Sequence, residues 1–156
     1  MKNRRDYDYY IFLDYSEGLI GYNIIEREKI GELLPKIVRF EHYKGRRNRK
    51  VYLKHINNTI KRENIKSYFE KIRILESRKN MELFIEIMEF VKGHEKCIIF
   101  MSVDDYQFKK LRRLIRLVNG ENTEIRKESE LKRGTPEYRV SLVIDNLLNI
   151  ERRKDK

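Results

Sequence analysis

Four acids, at three places in the chain, stand where ordinary solubility does not call for an acid. Asp104 and Asp105 follow the stretch Lys96 to Val103, in which Cys97, Ile98, Ile99, Phe100, Met101 and Val103 are apolar. Such a run reads as a strand buried on both faces. Acids at its carboxyl end lie at the rim of an open α/β sheet, where ligands bind. Asp14 ends a second apolar run, Tyr9 to Leu13. Asp145 falls on the apolar seam of a predicted helix, between Leu142 and Leu148 and beside Ile144. A carboxylate there costs stability unless something pairs with it. Carboxylate oxygens are hard donors suited to Mg²⁺ or Mn²⁺. The plainer reading of Asp104 and Asp105 is that they cap the helix that follows.

The elements that must carry these acids follow from local pattern. Asp8 to Arg27 reads as two strands joined at Ser16-Glu17-Gly18. Residues 28 to 34 are short and amphipathic, with Ile30, Leu33 and Leu34 on one side, and Pro35 stops or kinks them. Lys36 to Tyr43 fits a strand or more helix. Val51 to Asn64 leans helical, and Ser67 to Ser77 fits a third strand. Met81 to Lys92 has helical spacing, with Glu82, Glu86 and Glu89 on its polar face and Gly93 placed as a left-handed cap. Asp105 to Val118 is a second helix, and Thr123 to Leu131 a last strand. Thr135 and Pro136 open the final helix as N-cap and first helical residue.

The chain has 156 residues, enough for one domain over 1-156 with its own core. Lys and Arg number 36 against 25 Asp and Glu, a formal net charge of +11. That excess points to a polyanion, nucleic acid before an anionic membrane surface. Two basic stretches are candidate contacts. Lys44 to Lys50 (KGRRNRK) offers Arg46, Arg47, Arg49 and Lys50, as a solvated loop or as a phosphate-contacting arm. The predicted helix after Asp104 turns Lys109, Lys110, Arg112 and Arg113 outward. No stretch has the apolar length of a membrane span, and the amino terminus does not read as a signal peptide. A single cysteine, Cys97, permits no internal disulfide, and an intracellular, cytoplasmic setting is expected. His42, His55 and His94 form no recognised metal-ligand spacing.

Taken together, these pieces resemble ribonuclease H. That family places an Asp late in its first strand, where Asp14 stands. Its first helix carries a ligand Glu in a segment similar to Arg78 to Phe84 (RKNMELF), which puts Glu82 at that position. Its next strand ends in a motif similar to Ser102-Val103-Asp104-Asp105-Tyr106, and its last helix supplies an Asp after a turn like Gly134-Thr135-Pro136-Glu137, with Asp145 as the candidate. The resemblance covers about two thirds of the chain. The interval from Gly134 to Asp145 exceeds the family's by about one helical turn. The histidine that the family carries before its last helix is missing, with Lys132 or Arg133 in that neighbourhood.

The resemblance implies an α/β fold, a ribonuclease H-like mixed five-stranded sheet flanked by helices, with residues 28-66 as an insertion or a rearranged third strand. It also implies a metal-dependent nuclease that hydrolyses phosphodiester bonds in RNA or an RNA–DNA hybrid. Asp14, Glu82, Asp104 and Asp145 would hold Mg²⁺ or Mn²⁺ in a two-metal site, Asp105 would keep the helix cap, and the partner would be nucleic acid. The alternative is a basic nucleic-acid-binding domain of the same fold that does not cut.

Overall fold

The computed structural model describes residues 7–43, 47–102, 104–119 and 123–154. Strands β1 (Tyr9–Ser16) and β2 (Leu19–Glu26) form a hairpin. Its two turn residues, Glu17 at φ 26° and Gly18 at φ 83°, take the left-handed backbone that a tight hairpin needs to follow the twist of its strands. Helix α1 (Arg27–Leu33), a 3₁₀ turn at Leu34–Lys36 and helix α2 (Arg49–Arg62) precede β3 (Lys71–Glu76). Then come α3 (Asn80–Gly93), β4 (Cys97–Ser102), α4 (Asp105–Asn119), β5 (Thr123–Lys127), a 3₁₀ turn at Glu128–Glu130 and α5 (Pro136–Lys154).

The sheet has the order β3-β2-β1-β4-β5. β2 runs antiparallel to β1 and β3, whereas β1, β4 and β5 are parallel. This is the expected mixed five-stranded sheet with helices on both faces. Residues 28-66 are mainly helical and the third strand is a separate, regular one. Between the 3₁₀ turn and α2, the chain up to Tyr43 is neither strand nor α-helix; it is pinned by burying Ile37, Phe40 and Tyr43. Gly93 does not serve as a left-handed cap. It ends α3 and lacks a positive φ, and Lys96 takes the left-handed turn instead (φ 58°). At α5 the start is as expected, with the Thr135 hydroxyl accepting from the Tyr138 amide at 3.3 Å.

Strand alternation divides the molecule into two cores. Ile11, Leu13, Ile99 and Met101 pack against Leu83, Phe84 and Ile87 of α3 and Leu111 and Ile115 of α4. Tyr10, Phe12, Ile98 and Phe100 point the other way, onto α5 and the helices of the 28-66 segment. Helix α5 is enclosed from both sides, so that Val140 to Ile150 are buried without a break. Gly21 sets how near α5 comes. It pairs across the hairpin with Asp14, and a Cβ there would sit 3.1 Å from Leu148 Cδ2 and from Ile74 Cγ1 and 3.2 Å from the Arg73 carbonyl oxygen. The missing side chain lets the helix lie close over the strand that carries Asp14.

Gly21→Ala is therefore expected to destabilise the protein by about 1 to 3 kcal/mol, the usual cost of overpacking. In urea this reads as a lower midpoint at unchanged slope. An unchanged midpoint would mean that α5 does not bear on the sheet at this point.

Candidate active site

Alternation from Tyr10 and Phe12 turns Asp14 toward α5, and Ser102, its register partner on β4, turns the same way. Beyond β5, the 3₁₀ turn brings Glu128 to the same rim. Asp145 meets them from α5. Asp14 and Asp145 are each only 6% exposed. Asp14, Ser102 and Glu128, with His42 and others, line a cleft of about 790 Å³ at the carboxyl ends of β1 and β4. The position is the one expected for ligands of an open α/β sheet.

The electrostatics of the group are unfavourable for charge. Burial pushes the Asp14 carboxyl well above the usual carboxylate range, and the nearby Glu128 and Asp145 add to the rise. The Tyr15 amide, donating to Asp14 Oδ1 at 2.8 Å, and the Ser102 hydroxyl pull it partly back. Burial also raises Glu128, with Asp145 contributing; Ser102, His42 and Ser141 oppose that rise. The three carboxyls thus sense one another within a desolvated pocket.

Asp145 is further covered by a strap from the 28-66 segment. The Tyr43 amide donates to Asp145 Oδ2 at 2.9 Å, and His42 Nε2 lies 3.8 Å from Oδ1. The strap is fastened to its surroundings by its backbone. Asn146 Nδ2 donates to the Glu41 carbonyl at 3.1 Å, and the Tyr52 hydroxyl accepts from the Glu41 amide at 2.7 Å. No signal near Asp145 in the sequence announces His42, because the two are about a hundred residues apart and meet only through this packing.

At the mouth of the cleft the helix cap expected of Asp105 falls to Asp104. Asp104 caps α4, its Oδ1 accepting from the Gln107 amide at 2.8 Å, and it also lines the cleft. Asp105 pairs with Lys127, whose ammonium holds the Asp105 carboxyl below its usual range. Asn80 and Gln107 join the starts of α3 and α4 at 3.3 Å. Glu82 is not brought to this group. It is exposed on α3 and pairs with Arg73 of β3 at 3.3 Å, beside the Arg73–Glu86 pair at 3.1 Å. Glu128 was not singled out by sequence. The available signal was alternation: Ile125 faces α3 and α4, so Glu124, Arg126 and the position two further on face α5.

Lys109, Arg112 and Arg113 are exposed along α4 and Lys110 is half-buried; Arg47, Arg49 and Lys50 are exposed at the start of α2. Arg46 lies outside the described residues. Among the described residues, no three histidine, cysteine or acidic side chains stand close enough to cage an ion as they are. Burial raises the Cys97 thiol to about 12, which suits an inert core residue. Among the described residues, no helix is long and apolar enough to cross a membrane.

Neither a protein-family model nor a curated protein matches the chain. Among solved structures, it is similar to a chain of the complex of PCNA with RNase HII from Archaeoglobus fulgidus. The TM-score is 0.50 at 12% identity, over 93% of this chain and 73% of that one. The fold is ribonuclease H-like. At this identity the likeness concerns architecture alone.

Because Asp14 and Glu128 bind their protons more tightly folded than unfolded, they favour the folded state at acid pH. That contribution is lost as pH rises above the ordinary carboxylate range. Asp14→Asn removes part of the repulsion while keeping an acceptor for the Tyr15 amide. In metal-free buffer near pH 7.5 it should melt roughly 2 to 4 °C above wild type, the equivalent of about 1 kcal/mol for a domain of this size. The gap should close as pH falls toward about 4, where the wild-type group is protonated. A gap independent of pH would show that Asp14 is not the strained acid.

Proposed function

We propose that the chain is a metal-dependent nuclease acting on RNA or an RNA–DNA hybrid, with Asp14, Glu128 and Asp145 as the central acids and Asp104 at the mouth of the cleft. The observation that carries this reading is the gathering of Asp14, Glu128 and Asp145, from three separate elements, at the rim where Asp14 and Glu128 line the cleft, in a chain of net charge +11. Asp14 and Asp145 are buried and Glu128 half-buried, a grouping of acids that is costly for stability alone. Their oxygens are the donors that Mg²⁺ or Mn²⁺ prefers, so the donor chemistry fits a hard divalent cation. Bound, such a cation supplies neutralising charge and a water of lowered pKa.

The chain's own groups have separate tasks in this reading. Asp14 and Asp145 hold the cation, Glu128 shares the charge, and Ser102 orients the carboxyls it touches. Lys109, Lys110, Arg112 and Arg113 along α4, and Arg47, Arg49 and Lys50 at α2, grip phosphates. Glu82, engaged with Arg73, takes no part. A basic binding domain that does not cut is the second reading. It is favoured by the lack, among the described residues, of a ready-made cage of three ligands.

Two measurements separate them. Mg²⁺ or Mn²⁺ at about tenfold over its Kd should stabilise the wild type by about 1.4 kcal/mol, a rise of roughly 3 to 5 °C. Asp14→Asn should lose that rise even though its metal-free melting point is higher. In a cleavage assay on hybrid, single-stranded and duplex substrates, Asp14→Asn and Asp145→Asn should lose about 100-fold or more of the rate, and Glu82→Gln little. A wild type that binds these substrates without cutting them in either metal leaves the binding domain as the answer.

A further inference from the structure

A second hollow of about 410 Å³ adjoins the acid cleft at the start of α5. Phe40, Glu41 and His42 line it on one side, and Arg133, Tyr138 and Leu142 on the other. His42 and Tyr138 line the acid cleft as well, so the two hollows share a wall. The floor is apolar, since Phe40 and Leu142 are both buried. Both sides are held in place. The Tyr52 hydroxyl accepts from the Glu41 amide at 2.7 Å and donates to the Glu41 carbonyl at 2.8 Å. Opposite, the Thr135 hydroxyl donates to the Lys132 carbonyl at 2.7 Å and closes the turn that presents Arg133, with Gly134 at φ 85°. Two groups at the opening are unspent. Arg133 is exposed and Tyr138 half-buried. Among the described residues, neither the Arg133 guanidinium nor the Tyr138 hydroxyl has a partner.

We propose that this hollow takes one unpaired nucleotide of the nucleic acid whose backbone reaches the acids. The inference rests on the nuclease reading and narrows its substrate. The strand must offer a base outside the stack, as a bulge, a junction or single-stranded RNA does and an uninterrupted duplex does not. An apolar floor with an aromatic ring at its edge suits a flat, unstacked base. Core packing alone would account for the floor, but it calls for no free guanidinium on the rim. That group is a fork matched to phosphate oxygens. Glu41, on the same rim, is an acceptor suited to the amino group of a base edge. A base joined to a phosphate meets all three demands at once. The shared wall makes the occupant part of a polymer: His42 Nε2 stands 3.8 Å from Asp145 Oδ1, so a backbone lying at the acids has the hollow beside it. A paired base must first be pulled from its stack to enter, whereas an unpaired one enters at little cost.

The test is binding in EDTA, followed by fluorescence anisotropy over salt from about 50 to 200 mM. Three labelled RNA–DNA hybrids of about 20 base pairs are compared: fully paired, with one unpaired ribonucleotide at the centre, and with an abasic unit at that position. The wild type should bind the bulged hybrid about fivefold or more tighter than the other two, the least that stacking of one base on an aromatic ring is worth. Tyr138→Ala should lose that preference and Tyr138→Phe should keep it. Arg133→Gln should lower the slope of log K against log salt by about 0.7 to 0.9 for the bulged hybrid and leave it unchanged for the paired one. Arg133→Gln decides the matter should Tyr138→Ala fail to show a wild-type melting curve. If the wild type binds all three hybrids alike, or the folded variants keep the wild-type preference and slope, the nucleotide pocket is wrong and the nuclease reading stands. If the wild type binds none of them at any salt, both fall.

Discussion

Carboxyl groups buried beside one another cost free energy, and in this chain that cost is concentrated at one rim of the sheet. Asp14 and Asp145 are buried and Glu128 half-buried, so charge on all three at once works against the fold. What holds them is the burial of α5, whose residues from Val140 to Ile150 are shut between the sheet and the 28-66 segment. Its polar side chains tie it both internally and to its surroundings: Asn146 and Asn149 each donate to the carbonyl four residues back, at 2.7 and 2.8 Å, while Asn146 also donates to the Glu41 carbonyl and Asn149 accepts from the Ser16 hydroxyl. A helix so enclosed has little freedom to withdraw Asp145 from its neighbours.

The two faces of the sheet divide the labour. On the α3 and α4 face the polar contacts are structural: the Tyr22 hydroxyl donates to Glu86 at 2.8 Å, and Arg73 bridges Glu86 and Glu82. That network ties β2 and β3 to α3, away from the cleft. On the α5 face the polar groups converge on the rim. The strap at residues 41–43 belongs to this second face and places an amide and an imidazole on Asp145. His42, next to Asp145, thus enters from the segment between β2 and β3, and the connection directly before α5, residues 128-135, carries no histidine.

Much of the fold was legible because its signals are local. The apolar run at Cys97–Met101, the hairpin at Glu17-Gly18 and the Thr135-Pro136 helix start each decide their own structure within a few residues. The acids at the ends of β1 and β4 and on the seam of α5 were legible for the same reason. Glu128 was not, since β5 is short, charged and without an apolar run to point at its end. That Asp104 and not Asp105 caps α4 turns on which backbone amide faces which carboxyl, and two adjacent identical residues carry no such information. Glu82 illustrates a further limit. A matching motif puts a residue on the right helix, but the rotation of that helix against β3 and the pull of Arg73 decide where its side chain goes.

A cleft bordered by desolvated acids repels the phosphates that a nucleic-acid ligand would bring to it. The surrounding charge must overcome that repulsion before any neutralisation at the acids themselves. With a formal net charge of +11, the chain has the long-range field to do so, but a field does not fix register. Register requires contacts at defined distances from the acids, on elements that do not shift relative to them. Helix α5, buried from Val140 to Ile150 and carrying Asp145, is an element of that kind. The same enclosure that makes the acids expensive is what would make their position accurate.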